Sequence, residues 1–140
     1  LIERREEGGM ASVKIFVYGT LKVGGYYASR FDEVRDSSVD ATVCGKLYGS
    51  PYGYPRLVLA SESDRLIVHG ELHTYRDPEH VIKLMDHIEG YEENGTNNLY
   101  NRKTVKVRLD NGTEEEAFIY EYAQPIEKGA EIIKSGIWEL

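Results

Sequence analysis

The chain has 140 residues, a formal net charge of -7 and a pI near 5.1, with acidic residues spread along its length rather than massed in a tail. That length fits one domain with a core of its own, and that charge argues against a nucleic-acid or anionic-membrane surface and favours a small-molecule partner. No apolar run reaches the roughly 20 residues that cross a bilayer, the charged stretch Leu1 to Glu7 does not read as a secretory signal, and the single Cys44 excludes an internal disulfide, so a cytoplasmic protein is expected.

Residues 1–11 are charged and without periodicity, and read as a disordered tail in which Met10 stands as a candidate natural start. Residues 12–140 then form a single domain. Val13 to Tyr18 is β-branched and aromatic on nearly both faces, as a central strand would be. It runs into Gly19-Thr20-Leu21-Lys22-Val23-Gly24-Gly25, a Gly-bracketed turn before an expected short helix over 26–34. Such a turn can aim consecutive backbone N–H groups one way and make an anion-binding nest, or it can be an ordinary connection. No Gly-Lys-Ser/Thr closes it, so it is not a phosphate-binding P-loop.

Strands follow. Residues 39–48 alternate, Ser50 to Pro55 is a turn cluster, and residues 56–59 are apolar enough for a short strand. Arg65 to Tyr75 reads as a long strand in which Gly70 marks a bulge or a close backbone approach. It sets His69, Glu71 and His73 on one face, either as part of a metal site or as a solvated surface, and no metal is expected there because alternate strand residues stand about 7 Å apart. A polar loop over 92–98 has the length of a mobile flap. Two further strands, 100–109 and 115–122, are joined at Asp110-Asn111-Gly112-Thr113, a hairpin signal. The closing segment 126–140 reads as helical or irregular, with Ile133, Ile137 and Trp138 packing down. Strands outnumber helices and are joined partly by hairpins and partly by crossovers, which gives a mixed α+β domain.

The helix between these strands carries the residue of most interest. Asp77 reads as its N-cap and Pro78 as its first residue, Val81, Ile82, Leu84, Met85 and Ile88 recur at the spacing of one buried face, and Gly90 stops it. Ile82, Met85 and Glu89 stack along one stripe, so Glu89 points where an apolar residue should stand. Either Glu89 bends out to water or to an Arg at the helix end, or it is a catalytic acid/base.

Several of these stretches together resemble the gamma-glutamylcyclotransferase-like family. They are Val17-Tyr18-Gly19-Thr20-Leu21, Gly45-Lys46-Leu47-Tyr48 with Tyr54-Pro55, Val68 to Leu72, Leu84 to Tyr91, Tyr100-Asn101-Arg102, Ala117 to Tyr120 and Ser135 to Trp138. The Tyr-Gly-Thr-Leu signature is most similar to the gamma-glutamylamine cyclotransferase branch. One departure is Tyr26-Tyr27, where many relatives carry Asn shortly after the Gly-rich turn.

The resemblance implies a small mixed β-barrel with flanking helices and a cavity closed by the loop at residues 18–21. It implies no cofactor and no metal, with Glu89 as the catalytic acid/base. The expected reaction turns a gamma-glutamyl amine or amino acid into 5-oxoproline and a free amine, and one carboxylate can take the proton from the attacking α-ammonium and return it to the leaving nitrogen. A free Glu near pKa 4.3 facing an ammonium near 7.8 would make that first transfer uphill by about 5 kcal/mol, so burial of the Glu matters. The amides of Gly19, Thr20 and Leu21 are expected to hold the substrate's α-carboxylate, Tyr18 and Tyr120 to line the cavity, and Arg102 to pair either a substrate carboxylate or a neighbour on the hairpin rim. A second reading is a non-catalytic module that kept the cavity and binds an amino-acid-like ligand or a protein partner. Retention of Glu89 favours the enzyme.

Overall fold

The computed structural model describes residues 2–4 and 11–140. The strands are β1 (Ile2–Arg4), β2 (Ala11–Val17), β3 (Arg35–Tyr48), β4 (Arg56–Leu59), β5 (Ile67–Arg76), β6 (Tyr100–Leu109) and β7 (Glu114–Tyr122), with one helix, α1 (Pro78–Glu89). The sheet runs β1-β2-β5-β3-β6-β7, and a parallel pairing of Ile15 with Phe118 joins β2 to β7. That pairing closes β2, β5, β3, β6 and β7 into a five-stranded mixed barrel, with β4 hydrogen-bonded to β3 outside the ring. Closure removes the sheet edges that an open sheet of this size would expose. Among the described residues no helix is long and apolar enough to cross a membrane.

β2 explains its own sequence. Phe16 joins a cluster drawn from every barrel strand, with Leu72, Val43, Val107, Ala117 and Ile119, while Val13, Ile15 and Val17 face the other way, toward Val81 and Met85 of α1. Both faces are buried, so the alternation that marks a half-exposed strand is missing. Gly70 on β5 lies directly against this strand. A side chain there would meet the Val17 carbonyl oxygen at 2.4 Å and the Phe16 ring at 2.6 Å, so the glycine marks a close approach and not a bulge.

Other expectations are corrected. Residues 2–4 of the expected disordered tail form β1 and pair with residues 11–13, and Ala11 already belongs to β2. The rest of that tail, Met10 included, lies outside the described residues. In place of a helix over 26–34 there is a single 3₁₀ turn, Ala28–Phe31. Its two buried residues, Ala28 and Phe31, are three apart and align on one side of such a turn, and the segment is too short to sustain an α-helix without more packing. β3 begins at Arg35, four residues earlier than the apolar alternation suggests, because its polar start is held by pairing with β5. The closing segment is irregular, with Ile133 and Trp138 packed on the barrel core and Ile137 left 43% exposed.

On β5, Glu71 and His73 form a hydrogen-bonded pair (Nε2 to Oε1, 2.8 Å), and His73 Nδ1 meets the Tyr75 hydroxyl at 2.6 Å. Burial holds the His73 pKa below its usual value. Glu71 also accepts the Val23 amide at 2.9 Å, which ties the Gly-bracketed loop to the barrel. His69 is exposed. No group of His, Cys, Asp and Glu suited to a metal ion occurs among the described residues.

Gly70→Ala tests the close packing of β2 on β5. The added methyl is expected to cost about 1–3 kcal/mol through overpacking, seen as a lowered Tm, and an unchanged Tm would mean that the two strands stand further apart.

Candidate active site

A cavity of about 500 Å³ opens where β2, α1, β6 and β7 end or begin, and its lining includes Tyr18 to Leu21, Tyr54, Pro55, Ile88, Glu89, Leu99, Tyr100 and Tyr120. α1 delivers Glu89. Val81 and Met85 are fully buried and set the helix rotation, which turns Glu89, one turn beyond Met85, into the cavity. Gly90 ends the helix with φ +66°, and its amide and that of Tyr91 close on the carbonyls of His87 and Asp86. At the other end, Asp77 holds the N-cap position in a left-handed conformation and makes no side-chain cap bond. The helix start is therefore set by Pro78 and by chain reversal after β5.

The Glu89 carboxylate takes part in no hydrogen bond or ion pair among the described residues. Burial alone pushes its pKa up to about 7. The residue is half-buried and belongs to the cavity lining. Among the described residues, Glu89 is also the only acidic or basic one in the lining apart from the tyrosines, since no Lys, Arg, His, Asp or Cys of theirs is found there.

Three buried tyrosines stand close enough to Glu89 for its charge to help raise their pKa values, behind the larger effect of burial. They stay protonated at neutral pH, and each hydroxyl donates to a protein acceptor. Tyr18 donates to the Tyr120 carbonyl (2.5 Å), Tyr100 to the Pro55 carbonyl (2.5 Å) and Tyr120 to Asp86 Oδ1 (2.7 Å). These bonds make a stiff wall and leave no spare hydroxyl proton on it.

The loop opposite is different. The amides of Gly19, Thr20 and Leu21 donate to no acceptor among the described residues, and the Thr20 hydroxyl has no partner there either. The loop is nonetheless fixed, by Lys22 N to Gly19 O and Tyr27 N to Thr20 O, both 3.0 Å. A Cβ on Gly19 would stand 2.5 Å from Pro55 Cγ, so the glycine is needed for packing the loop on the Tyr54-Pro55 turn as well as for keeping backbone open to the cavity.

Arg102 is outside the lining. Its guanidinium pairs with Asp86 Oδ2 and lies over the rings of Tyr91 (5.1 Å) and Phe118 (5.2 Å). Of the two partners expected for it, the structure shows the neighbour. Asp86 thus receives Arg102 on one oxygen and Tyr120 on the other, one turn before Glu89, and fastens the helix end to the β6–β7 hairpin. The loop over 92–98 does not line the cavity. Asn98 pins it, accepting from the Glu92 amide (3.1 Å) and donating to the Glu92 carbonyl (3.0 Å). Tyr100, Tyr54 and Pro55 are lining residues that sequence reasoning did not single out as a site, because only barrel closure brings them to Glu89.

A family model described as gamma-glutamyl cyclotransferase, AIG2-like, matches residues 15–140. The chain belongs to this family. It is similar to the gamma-L-glutamyl-butirosin B gamma-glutamyl cyclotransferase of Niallia circulans, with 32% identity over 108 residues, 76% of this chain and 65% of that one. The match therefore spans slightly less than two thirds of the curated relative. The crystal structure of YkqA from Bacillus subtilis superposes with a TM-score of 0.66 at 25% identity, over 91% of this chain and 39% of that one. An AIG2-like protein of Mus musculus shares the fold at a TM-score of 0.60 and 18% identity, over 80% of this chain and 78% of that one.

Arg102→Gln separates the two roles open to this residue. Loss of its charged bond to half-buried Asp86 is expected to cost about 2 kcal/mol and lower the Tm, with ligand affinity little changed. A loss of affinity at unchanged Tm would return Arg102 to ligand binding.

Proposed function

We propose that this protein is a gamma-glutamylcyclotransferase in which Glu89 moves the proton. The observation that carries the reading is a half-buried carboxylate with no partner among the described residues, lining a cavity that is also lined by backbone amides with no acceptor there. An unpaired buried carboxylate is costly, and a purely structural role would be served better by an apolar residue on that stripe.

The substrate is a gamma-glutamyl amine or gamma-glutamyl amino acid. Its α-carboxylate sits on the amides of Gly19, Thr20 and Leu21, which supply anion contacts with no titrating side chain. Its α-ammonium faces Glu89. The carboxylate takes a proton from the ammonium, the freed amine attacks the δ-carbonyl, and a bond forms between the α-nitrogen and the δ-carbon. Glu89 gives that proton to the leaving nitrogen and takes a second one from the α-nitrogen, now bonded to the δ-carbon. As the tetrahedral intermediate collapses, the bond from the δ-carbon to the leaving nitrogen breaks, and the departing amine takes the second proton and restores the carboxylate. The products are 5-oxoproline and an amine, with no change of oxidation state and no enzyme nucleophile.

The pKa decides whether one carboxylate can serve both steps. With Glu89 at about 7 and an α-ammonium near 7.8, the first transfer is uphill by only about 1 kcal/mol rather than about 5. A group near 7 is also acid enough to give the proton back. The proximity term is supplied by the cavity, which needs only to fold the substrate into a near-attack ring. The name of the Niallia circulans relative, which refers to a gamma-glutamyl compound, supports a gamma-glutamyl donor here.

Glu89→Gln is the test. Release of 5-oxoproline from a gamma-glutamyl substrate should fall by about 10²-fold or more in kcat, the usual scale for general acid/base catalysis. Stability should move the other way and depend on pH. The folded state holds the Glu89 proton up to about pH 7 while the unfolded chain loses it near 4.5, so wild type loses stability as pH rises through that window. The variant should therefore melt above wild type at pH 8 and alongside it near pH 4. A Gln variant that turns over within a few fold of wild type would refute the assignment.

A further inference from the structure

We propose that Tyr26 and Tyr52 at the cavity mouth form a subsite for the leaving amine, one that favours an apolar, aromatic amine bearing no carboxylate. The proposal rests on the cyclotransferase reading and adds to it the chemistry of the departing group. Tyr26 and Tyr52 both belong to the cavity lining, yet they are 78% and 77% exposed. Each is propped by a more buried ring. Tyr52 stacks on Tyr54, with centroids 5.9 Å apart and planes at 14°, and Tyr54 in turn meets Tyr100 edge-on at 6.3 Å. Gly53, at φ +82°, makes the turn between the first two rings. On the other wall Tyr26 meets Tyr27 at 4.8 Å and 89°. A ladder of rings thus leads from the surface to Tyr100, beside Glu89. Tyrosines held in this way offer large apolar area at small entropic cost, and leaving them bare to water has no stabilising value for the free protein.

The charges point the same way. An amino acid or peptide leaving group would bring its own carboxylate to the mouth, and the described residues of the lining include no Lys, Arg or His to receive it. Arg30 lies over Tyr27 at 5.0 Å and is not a lining residue, and Arg56, whose charge reaches Tyr54 and Tyr100, is also outside the lining and is paired with Glu127. The ionised lining group is Glu89, which repels a second carboxylate and tolerates a neutral body. An amine whose carbon skeleton is apolar or aromatic meets the tyrosine faces and no uncompensated charge.

Three substrates separate the contributions: gamma-glutamyl phenethylamide, gamma-glutamyl phenylalanine, which adds only a carboxylate, and gamma-glutamyl methylamide, which lacks the ring. With 5-oxoproline release as readout, wild-type kcat/KM for the phenethylamide is expected to exceed that for each of the others by about 10-fold or more. In the Tyr26→Ala/Tyr52→Ala double variant the ratio of phenethylamide to methylamide should fall about 10-fold, mainly through KM. Both positions are exposed, and an unchanged melting curve would confirm that the variant is folded. Equal turnover of the phenethylamide and the phenylalanine compound, or a ratio that survives the double substitution, would overturn the subsite while leaving the cyclotransferase reading standing. Absence of 5-oxoproline from all three with wild type would overturn both.

Discussion

The arrangement depends on one constraint, the placing of the Glu89 carboxylate on a half-buried cavity wall where no cation among the described residues pairs with it. A shift from 4.5 to about 7 corresponds to about 3 kcal/mol of unfavourable ionisation, a sizeable fraction of the stability of a small domain. The surrounding structure holds the group there. Val81 and Met85 fix the helix rotation, Gly90 stops the helix at the next residue, and Asp86, gripped by Arg102 and Tyr120, keeps the last turn against the hairpin.

The same logic accounts for the opposite distribution of hydrogen bonds on the two sides of the cavity. On the barrel side every buried tyrosine hydroxyl near Glu89 is committed to a protein acceptor, so none can neutralise the carboxylate or compete for its proton. On the loop side three consecutive amides and the Thr20 hydroxyl have no partner among the described residues. Loop rigidity comes instead from flanking contacts: Gly19 on Pro55, the Val23 amide on Glu71, and Glu71 on buried His73. The barrel thus stiffens this loop through residues of β5, the strand paired with β2.

Much of this was legible in the sequence where local pattern governs. The helix limits, the misplaced carboxylate at the end of its apolar stripe and the doubly buried first strand all follow from spacing, and so does the hairpin at residues 110–113. What the pattern does not contain is which distant residue meets which. Arg102 is equally suited to a ligand carboxylate or to Asp86, and only the β6–β7 pairing places it beside α1. The polar start of β3 has no alternation to detect, since its partner strand holds it. Tyr100 and Tyr54 look like ordinary strand and turn aromatics until barrel closure brings them together at the cavity. The 3₁₀ turn at residues 28–31 has the composition of a helix and lacks the length of one.

The raised pKa of Glu89 is the central physical claim, and it can be measured without any substrate. With ¹³C-labelled glutamate, the side-chain carboxyl resonance lost in Glu89→Gln identifies Glu89, and its chemical shift followed from pH 3 to 9 gives the ionisation directly. The account predicts a midpoint near 7. A midpoint near 4.5, the ordinary value for an exposed glutamate, would contradict it, because Glu89 would then be a solvated carboxylate with no means of exchanging a proton with an α-ammonium near neutral pH.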